Sequence, residues 1–487
     1  MIYISKIKLH NFKSFDDLEI KFDSGINFLV GDNNCGKTTI FSAIDFILSG
    51  KDRDSYITKD KILKDDYVSV EIILSGDKLT DYLDTNTVLK RYKKYIYAED
   101  GSQNLIIRRS SKVEKSADGK DLDITKIRII DKDTNEQHSP TGIDKTIAAL
   151  FDIQLVLADT KSSDYFALDK TKLCGKLIKA IVDTTKIEKW KEFENTHEAV
   201  FSKVKTQLSE AEKSITKHLR EQYSDDAEAH FDFTPPKLSD MLTDGTLLLK
   251  ESSVETLSSE KGTGMQRALV LAVMQTYSEL TVKDSNDKPT FFLLDEPETF
   301  LHPNAQYKLL DSLNIISRTS QVFITTHSPY LLTKYNPEVN SITVFHKQHN
   351  HNTIKQENEL NLFGKSSPTW GEINFYAFGI YTETFHDELY GFLQTKAIDI
   401  DKKNYYEEDF NGFLNEKGIG NTKKWLKELS DKKIQQQDRT LPVYIRNYIH
   451  HPENMHNARY SSEELKSSID SLLSIYKKIK IISRNNN

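Results

Sequence analysis

Apolar and polar residues alternate at the start of the chain in the manner of β-strands, with Ile2, Ile4, Ile7 and Leu9 on one run and Leu18, Ile20 and Phe22 on the next. A mainly apolar stretch, Ile26 to Val30, then enters GDNNCGKTT and leaves through Ile40, Phe41, Ile44, Ile47 and Leu48, which are spaced as on one face of a helix. The pattern predicts a strand, loop and helix. From about residue 60 to 158 the reading is mostly β, with Val68, Val70, Ile72 and Ile73 and later Ile127 to Ile130 on either side of a polar interruption. Between 185 and 222 glycine and proline vanish, and Trp190, Phe193, His197, Val200, Val204, Leu208, Ala211, Ile215 and Leu219 follow by threes and fours. That stripe predicts a helical arm about 55 Å long at ~1.5 Å per residue. Thr290 to Thr326 reads as strand, helix, strand, and beyond about 340 helices are expected at Gly371 to Gln394, Lys423 to Leu429, Leu441 to His450 and Ser462 to Lys480.

Composition sharpens this picture only in places. Nineteen glycines and eleven prolines in 487 residues favour long helices over many tight turns. With 37% hydrophobic and 29% charged residues the chain has the balance of a soluble globular protein. No apolar run approaches the ~18 residues that span a bilayer, and the N-terminal MIYISKIKLHNF lacks the stretch of a signal peptide. Cys35 and Cys174 are too few for a disulfide framework or a four-thiolate zinc site. A cytoplasmic protein with no membrane partner is expected. The net charge of −7 neither draws the whole molecule to nucleic acid nor excludes a local basic patch.

The segment from Gly31 to Thr38 fits G-x-x-x-x-G-K-[ST] in the strand-to-helix context the motif needs. Backbone N–H groups of Gly31, Asn34, Gly36 and Thr39 and the helix N-terminus would face phosphates, Lys37 would reach the β and γ oxygens, and the Thr38 hydroxyl would ligate Mg²⁺. ATP and Mg²⁺ are the expected ligands. Further on, the strand-like TFFLL run ends in Asp295, Glu296 and Glu298; Asp295 is placed for the metal and Glu296 for polarising an attacking water. A second apolar run, Val322 to Thr326, delivers His327, a candidate for contact with the γ-phosphate or that water. Lys261-Gly-Thr-Gly264-Met-Gln266 precedes a helical stretch and would form another anion-facing helix end, or an ordinary helix start.

Together the runs ISKIKLHNFKSF, INFLVGDNNCGKTTIFSAIDFI, LLDEPETFLHP and ITTHSPYLL resemble the ATP-binding-cassette heads of the SMC, RecF and OLD-like ATPases. The resemblance implies an α/β fold: an ABC-type P-loop head with an inserted short coiled-coil arm and a mainly α-helical C-terminal domain. Its divisions would be an N-terminal lobe over 1–175, the arm over 176–230, a second lobe over 231–345 and the helical domain over 346–487. It further implies a homodimer with two sandwiched ATPs, each also touched by the partner chain's signature segment. Gly262, Gly264 and Gln266 would supply that signature, although the segment departs from LSGGQ. Gln154 is the candidate metal-sensing glutamine.

In the C-terminal part, Asp399-Ile-Asp401 offers only half of a Toprim acid set, and His346, His349 and His351 read as a solvated loop. Arg446-Asn-Tyr-Ile-His-His451 resembles the R-N-x-x-x-H motif of HEPN ribonucleases, with Glu372, Glu383 and His386 as possible partners; the same pair equally suits the end of a structural helix. The arrangement as a whole resembles ATPase subunits of bacterial anti-phage systems of the Septu and PARIS kinds. That implies a sensor and scaffold gating a separate nuclease subunit. Two alternatives stay open: a self-contained ATP-regulated ribonuclease toxin, and a DNA-repair or chromosome-handling clamp that binds nucleic acid.

Overall fold

The computed structural model describes the chain except residues 50–52, 58–61, 63, 65, 86, 141, 144–149, most of 158–252, and 282–288, 300, 333–334, 337–339, 349–350, 357–359, 402–405, 430–431 and 486–487. The chain groups into two compact units, one of residues 1–158 with 288–487 and one of residues 159–287.

The first unit is organised around two sheets. Alternation near the N-terminus becomes an antiparallel sheet, in which Tyr3–Phe12 pairs with Phe15–Lys21 on one side and Ser69–Gly76 on the other. It continues through Ser102–Ser110 and Ile127–Ile130. The second sheet runs Asp152–Val156, Thr290–Asp295, Gln321–Thr326, Ile26–Gly31 and Asn340–Gln348, all parallel, and closes with the antiparallel His351–Gln356. Ile26–Gly31 and Gln321–Thr326 are buried along their whole length, as expected of parallel strands covered on both faces. Helix Thr39–Ser49 follows the glycine-rich loop; its Ile40, Phe41, Ile44 and Ile47 share one core with Ile7 and Leu9 of the first sheet and Leu293, Phe323 and Phe345 of the second. That shared core fixes where the loop sits.

One buried cation organises the polar interruption between the strands of the first sheet. Arg128 is fully buried; its Nη1 donates to Glu114 Oε2 at 2.8 Å and its Nη2 to the carbonyls of Ser110, Lys112 and Leu122. A single guanidinium thereby ties the excursion to the sheet.

Residues 346–487 group with the strands that carry the loop, not apart from them. Helix Trp370–Phe378 packs on Asn340–Gln348 and on Ile26–Gly31. The single helix expected over Gly371 to Gln394 is two, Trp370–Phe378 and Glu383–Asp401. Gly379 breaks it: at φ 64° its N–H bonds Phe375 O, while Ile380 N bonds Asn374 O, which closes the helix end in a left-handed cap. Lys423 to Leu429, expected as helix, is instead part of a hairpin, Asn421–Glu428 against Ile434–Thr440. Only Trp425 is buried in that strand, so a helix there would bring no apolar stripe to the core. His346 likewise lies on a paired strand, opposite Thr353, rather than in a solvated loop; His349 is outside the described residues.

In the second unit the described residues include helix Leu173–Thr184, a hairpin of Leu248–Glu251 with Val254–Leu257, and helix Thr263–Thr281. The expected arm over 185–222 lies mostly outside the described residues; positions 211–217 are helical. The signature segment groups with the inserted residues, and the C-terminal helices group with the sheets.

Candidate nucleotide site

Three adjacent parallel strands bring the expected chemistry to one end of the sheet. Ile26–Gly31 ends in the glycine-rich loop, Gln321–Thr326 ends before His327, and Thr290–Asp295 ends in the acids. Asp295, Glu296 and His327 line one cavity of 530 Å³ with Asn33 to Thr39.

Glycine is required twice in the loop. Gly31 sits at φ 141°, and a Cβ there would come within 2.2 Å of Phe345 O; Gly36 sits at φ 95°, with the Phe15 ring 2.7 Å from where a Cβ would be. Asn34, at φ 60°, is a residue type that tolerates the left-handed region. Thr39 N bonds Gly36 O and Ile40 N bonds Lys37 O, so the helix begins directly beneath the loop. Lys37 is buried, and its Nζ donates to Gly31 O at 3.0 Å and Asp32 O at 2.8 Å. Burial lowers its pKa, against the pull of Glu296 and Asp295.

The acids are held from the neighbouring strand. Thr325 Oγ1 donates to Asp295 Oδ1 at 2.5 Å and accepts from Glu296 N at 3.0 Å. Glu296 has φ 43°, a conformation non-glycine residues seldom adopt, and is pinned there by a second bond from its N–H to Thr325 O. The strained turn brings Glu296 Oε1 to 3.3 Å from His327 Nε2. Lys37 Nζ lies 2.8 Å from the same nitrogen. Burial, then the Lys37 charge, lowers the His327 pKa, so the ring is neutral near pH 7 and Nε2 accepts from the ammonium. Lys37 and Glu296 therefore compete for the one ring nitrogen of His327.

Glu298 fixes the loop that carries the histidine. Its Oε1 accepts from Thr326 Oγ1 at 2.6 Å, His327 N at 3.0 Å and Ser328 N at 3.2 Å. Burial raises its pKa despite those bonds. The role of Glu298 is not evident from the sequence, where its one signal is a third acid after a strand already ending in two. Nor is that of Lys13 and Ser14, which line the cavity from the turn between the first two strands. Lys13 Nζ donates to Ser42 Oγ at 2.6 Å, and the signal was a lone cation in a two-residue turn.

The residues present suit a triphosphate and its divalent ion. The close approaches at Gly31 and Gly36 leave a bare-backbone cradle, Lys37 supplies the cation, and the Thr38 hydroxyl and Asp295 carboxylate are an oxygen pair of the hard kind that Mg²⁺ prefers. Gln154 is not among the residues that line this cavity. It pairs in register with Phe292, within the sheet and short of the strand end at Asp295, and its amide donates to Asp152. The signature candidates lie at the start of helix Thr263–Thr281, where Gly262 is exposed and Gln266 Nε2 donates to Ser259 O and Lys261 O.

Arg446 and His451 face different surroundings. Arg446 lies over the Tyr390 ring at 5.6 Å, while His451, the last cap of helix Leu441–His450, lines a separate cavity that does not include Arg446. The expected partners have other work: Glu372 accepts from Leu362 N, Ser367 Oγ and Thr369 N, Glu383 accepts from Tyr460 Oη, and His386 is fully buried against Ser468 Oγ.

A parallel sheet in which the acid-bearing, histidine-bearing and loop-bearing strands lie side by side in that order defines a P-loop ATPase domain. The chain belongs to the AAA ATPase domain family (AAA_15), whose model matches residues 2–332. It is 28% identical over 363 residues to the Old nuclease of Escherichia phage P2, covering 68% of this chain and 57% of that protein. With the OLD nuclease of Thermus scotoductus it shares 23% over 343 residues, covering 67% of this chain and 59% of the relative. The chain thus spans between half and two thirds of the length of these relatives. A shorter match, 40% over 75 residues, is to the DNA double-strand break repair Rad50 ATPase of Thermoplasma volcanium, covering 15% of this chain and 8% of that protein. Among solved structures, the SMC head bound to the C-winged helix domain of ScpA aligns over 73% of this chain and 97% of its own, at 17% identity and a TM-score of 0.44.

Proposed function

We propose that the chain binds and hydrolyses ATP with Mg²⁺ at this cavity, and that two heads close on two nucleotides to gate a separate nuclease in anti-phage defence. The meeting of Lys37, Asp295, Glu296 and His327 around one cavity supports the first part. Lys37 and the loop N–H groups hold the phosphates; Thr38 and Asp295 hold the ion, which supplies charge neutralisation when bound. Glu296 takes up the proton of the attacking water, and neutral His327 orients that water or the γ-phosphate. Gly262, Gly264 and Gln266 of the partner chain contact the nucleotide from the other side; the exposed start of their helix supports that role.

The nuclease link is supported by two relatives named as nucleases, matched over their partial length. A separate nuclease subunit is favoured over catalysis by Arg446 and His451, because those two side chains face different surroundings. Replacing Glu296 by Gln is expected to lower ATP turnover by about 100-fold or more and to trap an ATP-dependent dimer seen by mass measurement. Unchanged turnover would remove Glu296 from the role. Co-expression with the product of the adjacent gene, followed by mass determination, tests the partner; a complex without nuclease activity under any nucleotide condition counts against the gate.

A further inference from the structure

The cavity beside His451 is built from groups that the nucleotide chemistry does not use. It has a volume of 620 Å³ and is lined by the C-terminal hairpin, the end of helix Leu441–His450 and the start of helix Glu407–Glu416. Trp425, buried, forms part of its wall, with the His451 ring 6.4 Å away. Arg439 is buried as well, and its donors are taken: Nε by Glu407 Oε1 at 3.0 Å, Nη2 by Gln437 Oε1 at 2.8 Å and by Glu408 at 2.7 Å. One guanidinium thus serves two carboxylates. His451 pairs with Glu453 at 3.2 Å, and Glu428 with His456 at 3.2 Å. Four lining carboxylates face two permanent cations, Arg439 and Lys427, so the cavity repels anions.

Asn447 belongs to the same lining. It is 1% exposed, its Nδ2 donates to Glu407 Oε1 at 2.8 Å, and its Oδ1 is buried with no hydrogen-bond partner among the described residues. Because a carboxylate can only accept, the amide orientation is fixed with the oxygen as the idle atom. An idle buried acceptor destabilises the fold until a donor reaches it. Tyr406, part of the lining, is 73% exposed.

We propose that this cavity receives an arginine side chain of another protein. Its guanidinium donates to Asn447 Oδ1 and to the remaining oxygens of Glu407 and Glu453, while Tyr406 covers its flat face. Acceptors in excess, aromatic walls and a negative balance suit a planar cation with several N–H groups, and do not suit a phosphate backbone. The site holds whether or not the chain that supplies the arginine is a nuclease.

The test is calorimetric titration of the full chain with the peptide acetyl-Gly-Arg-Gly-amide, beside its citrulline analogue, which keeps the shape and loses the charge, and beside AMP. Saturable binding of the arginine peptide, weakened about tenfold or more with citrulline and in the Glu408→Gln/Glu453→Gln double variant, is expected. Both substituted side chains are largely exposed, so folding is preserved, and an unchanged melting curve verifies it. An Asn447→Leu variant should lose binding too. No saturation by about 10 mM, equal binding of citrulline, or competition by AMP overturns the proposal, the last by marking a nucleobase pocket. ATP binding, measured on the same samples, reports separately on the nucleotide site.

Discussion

His386 shows how one side chain sets a pH response. It is fully buried, its Nε2 bonds Ser468 Oγ at 2.9 Å, and Asp387, 3.9 Å from Nδ1, and Glu383 are the charged groups that favour its protonation. Burial outweighs them and lowers its pKa below 6.5. The unfolded chain therefore takes up a proton near pH 6.5 that the folded chain refuses. Stability from this residue is complete above that pH and is lost as pH falls toward the folded value, with a slope of at most about 1.4 kcal/mol per pH unit. Urea unfolding at pH 7.5 and 5.5 should show the drop, and His386→Gln should flatten it. An equal drop in the variant would assign the effect elsewhere. The same residue marks a limit of sequence reading. In the sequence His386 stands beside carboxylates, a setting that suits a catalytic partner; only the packing of a helix 82 residues further on makes it a core residue. His327 and Lys37 were legible because their motifs encode local geometry, whereas Lys13 and Glu298 act through neighbours that the sequence does not place.

At the scale of elements, the parallel strands, the loop helix and the ends Asp295 and His327 could be read from apolar runs and their punctuation. The hairpin at Asn421–Glu428 could not, because LysLysTrpLeuLys carries no period that separates a strand with one buried residue from a polar helix. The place of Gln154 depends likewise on register, which sets it opposite Phe292. The antiparallel sheet offers a test of what anchors an irregular excursion. Arg128→Met removes the donors of three carbonyls and leaves Glu114 with Lys112 and the Gln137 amide. A loss of about 3 kcal/mol in chemical denaturation is expected. A loss within about 0.5 kcal/mol, the range of surface changes, would show that the excursion needs no such anchor.

On the scale of the whole molecule, the polypeptide leaves the second sheet after Asp152–Val156 and returns at Thr290–Asp295, and these strands are parallel neighbours tied also by Asp152 N to Pro289 O at 2.8 Å. A parallel pair needs a crossover in any case, of roughly a dozen residues or more. The unit of residues 159–287 is therefore an enlarged version of a connection that the topology already demands. Its length is free of the sheet's geometry. Replacing it with a short helical crossover should leave a folded sheet that still binds a fluorescent ATP analogue, while abolishing the ATP-dependent dimer through loss of Gly262 to Gln266. Failure to fold would show that the insertion supports the sheet. If the sheet does fold alone, nucleotide capture and the reporting of that capture are separable parts, joined at one pair of adjacent strands, and the reporting part can be lengthened, shortened or exchanged without rebuilding the pocket it listens to.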